Sequence, residues 1–170
     1  MSTLAYAAMT RKREEAQPGK STTSQSPGLQ TYVDALAALV PAEVLTAHGA
    51  ILTFTTKTNV DKAIAITDPG TLFYVFWALI ALSMILYIGA RLMNNAWDGW
   101  DYLRVLIPPL SFVGWTMLQK ATAFDGLLMH WQGASTVPLI SDSARSASAI
   151  IGAIVLGLLA SALAYKADQK

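Results

Sequence analysis

Residues Thr71–Ala90 read TLFYVFWALIALSMILYIGA, twenty positions without a charge, and Arg91 follows them. At about 1.5 Å of rise per residue, a helix over this run reaches about 30 Å, the thickness of a bilayer's hydrocarbon core. Tyr74, Phe76 and Trp77 lie toward one end and Tyr87 toward the other, as an aromatic belt requires. Asp68 can cap the helix, and Pro69 suits its first turn. A second run of the same length, Ser146–Tyr165, is also uncharged and sits between Arg145 and Lys166. The polar stretch Ser141-Asp142-Ser143 offers three residues able to cap it, predicting a helix over about 144–165.

The expected class is an all-α, polytopic integral membrane protein, with the lipid bilayer as its main partner. Composition agrees: 54% of the chain is hydrophobic and 14% charged, against roughly 25% charged in soluble domains. A net charge of +1 gives no basic face for nucleic acid. The absence of cysteine removes disulfides, thiolate metal sites and cysteine nucleophiles. Residues 10–30, rich in Ser, Thr, Gln, Pro and Gly, cannot bury a core. They predict a flexible cytoplasmic tail over 1–29, followed by a four-helix membrane domain over 30–170.

Two weaker segments complete the four. The first, about 30–56, is apolar but carries Asp34, Glu43 and His48, with Pro41 in its middle. Pro41 removes a backbone donor and disfavours helix at Val40. Either one kinked helix crosses, or a short helix over 29–39 gives way to another beginning at Pro41; the sequence favours the kinked helix. The third, about 102–121, contains Pro108-Pro109 and Gly114, with only fifteen residues between Arg104 and Lys120. It reads as a kinked span in preference to a re-entrant segment. Four spans put both termini and the connection 91–104 on one side, and the excess of Lys and Arg there makes that side cytoplasmic.

Small residues mark two packing ridges. Ala149, Ala153, Gly157 and Ser161 recur every four residues, as do Ala38, Ala42, Thr46 and Ala50. Such rows let helices approach closely, so the first and fourth segments are expected to pack on each other or across a homo-oligomer.

Glu43 neighbours Thr46 and Ala50 on a helical wheel. An ionised group at mid-span costs at least ~2.5–3.5 kcal/mol on insertion scales, so it needs a partner or water. In an oligomer, one Glu43 per subunit makes a ring of carboxylates able to select cations. Near the headgroups, it would instead stabilise a helix N-terminus. His48, on the opposite face, could sense protons or hydrogen-bond a neighbouring helix.

No metal, cofactor or enzyme motif appears: His48 and His130 lie on different segments, and no HExxH or phosphate-cradling loop is present. Asp98 and Asp101 in WDGWD could hold a hard cation, though a solvated interfacial turn is the reading favoured. The functional expectation is a self-associating membrane protein that forms or gates an ion-permeable pore, with Glu43 and His48 near the path. The alternative is a non-catalytic anchor or scaffold that holds a partner protein through the tail or the loop 120–145.

Overall fold

The computed structural model describes residues 29–58, 64–94, 97–133 and 140–167. The tail expected over 1–29 lies, apart from Leu29, outside them. The described chain is mostly helical: α1 (Leu29–Ala37), α2 (Ala42–Thr55), α3 (Pro69–Met93), α4 (Asp101–Arg104), α5 (Ile107–Leu118), α6 (Ala123–Gln132) and α7 (Asp142–Ala167). Between α2 and α3 runs an antiparallel hairpin, β1 (Thr56–Thr58) and β2 (Ile64–Ile66), pairing Thr56 with Ile66 and Thr58 with Ile64. That hairpin corrects the all-α expectation. The strands read TKT and IAI, where β-branched Thr and Ile lose side-chain freedom in a helix and suit a strand.

Two helices, α3 and the Asp142–Leu163 stretch of α7, are long and apolar enough to cross a membrane. Asp68 caps α3 as expected, accepting the Thr71 N–H at 2.9 Å, with Pro69 in the first turn. At the start of α7, the Ser141 hydroxyl accepts the Ala144 N–H at 3.3 Å.

The other two segments are not single spanning helices. Pro41 ends the first one as a continuous helix: α1 stops at Ala37, a turn follows, and α2 starts at Ala42 with Pro41 extended at ψ 135°. This is the two-helix alternative, not the kinked helix the sequence favours. The proline ring blocks the backbone geometry that would carry a helix through Val40. The third segment breaks at Val105–Leu106 into α4 and α5. Twelve residues of α5 reach about 18 Å, short of the roughly 30 Å hydrocarbon core.

Contacts fix the directions. Leu36 sits against Gly114 and clusters with Ala153 and Leu156, while Leu39 reaches the cluster of Ile107, Ala160 and Leu163. The helix α1 therefore runs parallel to α7 and antiparallel to α5. After Pro41 the chain reverses, since His48 meets Ala123 and Thr55 meets Thr67. Consequently α1 and α2 form a helical hairpin whose turn is inserted beside α5, while both open ends lie with the β hairpin and the starts of α3 and α7. This will be called the hairpin end; the opposite end holds α4. The described chain thus begins at the end opposite the close of α7. Four spans would have put the two at the same end.

The main core gathers Val40 from the turn before α2, with Val44, Leu72, Phe76, Leu79, Phe112, Ala123, Phe124 and Leu127 from α2, α3, α5 and α6.

Candidate functional site

Three polar centres and one outward helix face carry the chemistry. The first centre is His48, which the sequence placed near a pore. It is fully buried, its ring edge-on between Phe112 and Trp115 at 5.6 and 5.4 Å. The Ala123 N–H donates to its Nε2 at 3.1 Å. That amide belongs to the first turn of α6, whose early donors have no partner within the helix. Since Nε2 accepts, a neutral ring carries its proton on Nδ1, which is buried and meets no partner. His48 therefore joins α2 to α6 through the core, and does not line an open path within one chain.

The second centre lies at the α4 end. Asp101 is fully buried and accepts from Tyr87 Oη at 2.8 Å, Arg91 Nε at 3.0 Å, Arg104 Nη1 at 3.2 Å and the Asp98 N–H at 2.8 Å. Burial pushes its carboxyl up, but the donors from Arg91, the Asp98 backbone, Tyr87 and Arg104 outweigh burial and hold it well below the usual carboxylate range. For Asp101 the sequence reading of a solvated turn or cation site does not hold, because two arginines already pair with its buried carboxylate, whereas Asp98, Gly99 and Trp100 keep the turn itself partly open to solvent. Among the described residues, no group of three or more His, Asp or Glu could hold a metal ion.

The third centre lies toward the hairpin end. The Arg145 guanidinium pairs with Asp125, donates to the Met117 and Gln119 carbonyls at 3.2 and 2.9 Å, and stands 5.3 Å from the Phe124 ring centre. Asp125 also accepts the Thr122 N–H at 3.0 Å in a capping box. Met117 and Gln119 end α5, where carbonyls have no helical partner. At the far end of the same helix pair, Arg104 donates to the Leu163 carbonyl at 2.7 Å. Each of α5 and α7 is thus held near its C-terminal end by an arginine from just before or within the start of the other. Sequence reasoning treated both arginines only as span boundaries. A signal existed: a cation in the first turn of α7 opposes the helix dipole and asks for a partner.

The outward face belongs to α2. Glu43, Thr46, Gly49, Ala50 and Thr53 are all exposed, and Glu43 bonds to no described residue. Thr46 and Thr53 donate back to the Ala42 and Ala50 carbonyls at 2.8 and 2.7 Å. Only in its last turn does this face present a large side chain, Phe54, whereas α3 and α7 turn Tyr74, Trp77 and Ile85, and Ile151, Ile154 and Leu158, outward among smaller residues.

The small-residue rows divide. Ala149 and Ala153 are buried, Gly157 is half-buried and Ser161 is exposed. A four-residue step turns about 400°, so such a row drifts about 40° per step around the helix. The buried seam of α7 is instead Ala149, Ala153, Leu156, Ala160 and Leu163, alternating steps of four and three. Of the other row, Ala38 lies half-buried in the turn after α1, while Ala42, Thr46 and Ala50 face outward. It is α1, through Leu36, that packs on α7.

Comparison of the chain with protein-family models, curated proteins and solved structures finds no match.

Proposed function

We propose that the chain is a membrane protein that assembles with copies of itself through the outward face of α2, and that the assembled faces line an ion-permeable path. The observation that carries this reading is the contrast between helix faces. Only 22% and 28% of the apolar windows of α3 and α7 are buried, whereas a soluble core helix hides most of its apolar residues. Their outward aliphatic and aromatic side chains suit acyl chains. The α2 face carries a carboxylate, two hydroxyls and small residues, which suit close helix contact or water, and its last turn adds the exposed ring of Phe54. One chain alone fills its core with Phe112, Phe76 and Phe124, so a path requires several copies.

In a bilayer the hairpin end would face the cytoplasm. Lys57, Lys120 and Arg145 lie there, and α1, which follows Arg11, Lys12, Arg13 and Lys20 in the sequence, begins on that side. This orientation differs from the one four spans imply, because the α1–α2 hairpin returns to the side it entered from.

The test is cation flux from liposomes at high protein density. Glu43→Gln should change selectivity or rate several-fold. Because the chain has no cysteine, Ala50→Cys gives a clean probe of the face and should form disulfide-linked dimers in membranes. Flux no greater than in protein-free liposomes removes the path, and an Ala50→Cys variant that stays monomeric under oxidation removes the interface.

A further inference from the structure

A cleft of about 450 Å3 opens at the hairpin end, between β2 on one side and α6 with the start of α7 on the other. Three consecutive residues of β2, Ile64, Ala65 and Ile66, line it. A strand that offers a face contributes alternate residues, since side chains point to opposite sides. Three in succession mean that the strand turns its edge to the cleft.

The hydrogen-bond parity of the hairpin says what that edge carries. The Thr67 N–H donates to the Thr55 carbonyl at 2.9 Å, so bonded pairs continue at Lys57 and Ala65. The N–H and C=O groups of Ile64 and Ile66 then point away from β1. Thr56 obeys the same parity on the other strand, turning its N–H outward to the Leu52 carbonyl. No described residue pairs with the outward groups of Ile64 and Ile66. An open edge of this kind is a template for another strand.

We propose that this cleft accepts an extended peptide segment of a partner protein, paired along β2 as a third strand. The opposite wall supplies Leu128 and Met129 for apolar side chains of the incoming strand. Arg145, nine-tenths buried, also lines the cleft and uses three of its five guanidinium N–H groups on Asp125, Met117 and Gln119. Two remain for a carbonyl of the peptide. Asp125 and Asp142 also line the cleft, so the expected ligand is β-branched and extended, with a neutral amide in place of an acidic side chain at one end. This inference stands apart from ion conduction and needs only the hairpin and the cleft.

The experiment uses the full chain in nanodiscs and an immobilised array of random linear hexapeptides. Bound sequences should be rich in Val, Ile and Thr, and should slow amide exchange at Ile64 and Ile66. Ile64→Pro removes one outward N–H without removing a ladder bond, and should weaken binding tenfold or more. Thr58→Pro removes an N–H on the opposite edge and should leave binding within twofold. No enrichment on the array overturns the proposal. So does equal binding by Ile64→Pro and wild type. Amides at 64 and 66 already protected without peptide would overturn it too, since residues of the chain itself would then occupy the edge.

Discussion

Gly126 on α6 lies so close to Leu72 on α3 that a methyl group at position 126 would overlap the leucine Cβ. It would also stand 3.1 Å from Leu72 Cδ1 and 3.3 Å from Cγ. The missing side chain lets α6 lie directly on α3, which brings Phe124 to Phe76 and His130 onto Phe73 at 4.3 Å. Gly126→Ala must push two backbones apart, because a Cβ has no rotamer to escape with. The expected cost is about 1–3 kcal/mol, read as a lower unfolding midpoint in a fixed detergent. Gly152→Ala is the control: nothing stands within 4 Å of a Cβ there, and the helical alanine should gain up to about 1 kcal/mol.

Two ion pairs at the hairpin end should behave oppositely. Arg145 and Asp125 are nearly buried and share carbonyl and amide partners, whereas Lys120 and Asp142 stand 3.8 Å apart with 89% and 79% of their side chains exposed. Arg145→Met leaves Asp125 Oδ1 and the two carbonyls closing α5 without donors, while Thr122 still serves Asp125 Oδ2. A loss on the order of 3 kcal/mol is expected. Lys120→Ala should change stability by less than about 0.5 kcal/mol, since exposed pairs are screened and entropically costly. Urea titration of both variants in the same micelle separates them; comparable losses would mean the buried arginine is not a clamp.

The long elements were legible because their cause is local. Asp68, Pro69 and twenty uncharged residues specify α3 without reference to the rest of the chain. Pro41 was legible as a break but not as a reversal. The direction of α2 depends on what Val44 and His48 meet, and those contacts lie on α3, α5 and α6. The site residues divide for the same reason. Glu43 drew attention because a carboxylate in an apolar run stands out, and the structure places it on the exposed face of α2. Arg104 and Arg145 were passed over because, besides Asp101 and Asp125, they hold main-chain carbonyls at Leu163, Met117 and Gln119, and a carbonyl has no letter in the sequence. The period-four row on α7 misled at Ser161, because the true seam follows steps of four and three.

Acid should weaken the α4 end. Asp101 holds its proton more weakly in the folded protein than its ordinary value of 3.8, because four donors outweigh the effect of burial. A carboxyl shifted downward stabilises the fold in full above the unfolded value and loses that contribution as pH falls below it. Wild type and Asp101→Asn should therefore differ in unfolding midpoint by a constant amount between pH 7 and 5. The gap should close progressively below about pH 4. A gap that is unchanged at pH 3 would show that the charge on Asp101 is not what Arg91 and Arg104 recognise.

His48 gives the sharpest separation of a structural role from a proton-sensing one. Its Nε2 is the acceptor for the Ala123 N–H, and two aromatic rings hold the imidazole edge-on. His48→Leu keeps comparable apolar bulk but leaves that buried amide without an acceptor, at a cost of about 1–3 kcal/mol. His48→Gln can place an amide oxygen near the Nε2 position and should recover a substantial part of the loss. If the residue serves packing and capping alone, flux through His48→Gln liposomes should keep the wild-type pH dependence between pH 5 and 8. A profile that flattens in His48→Gln while stability recovers would assign the imidazole a proton-linked role in conduction.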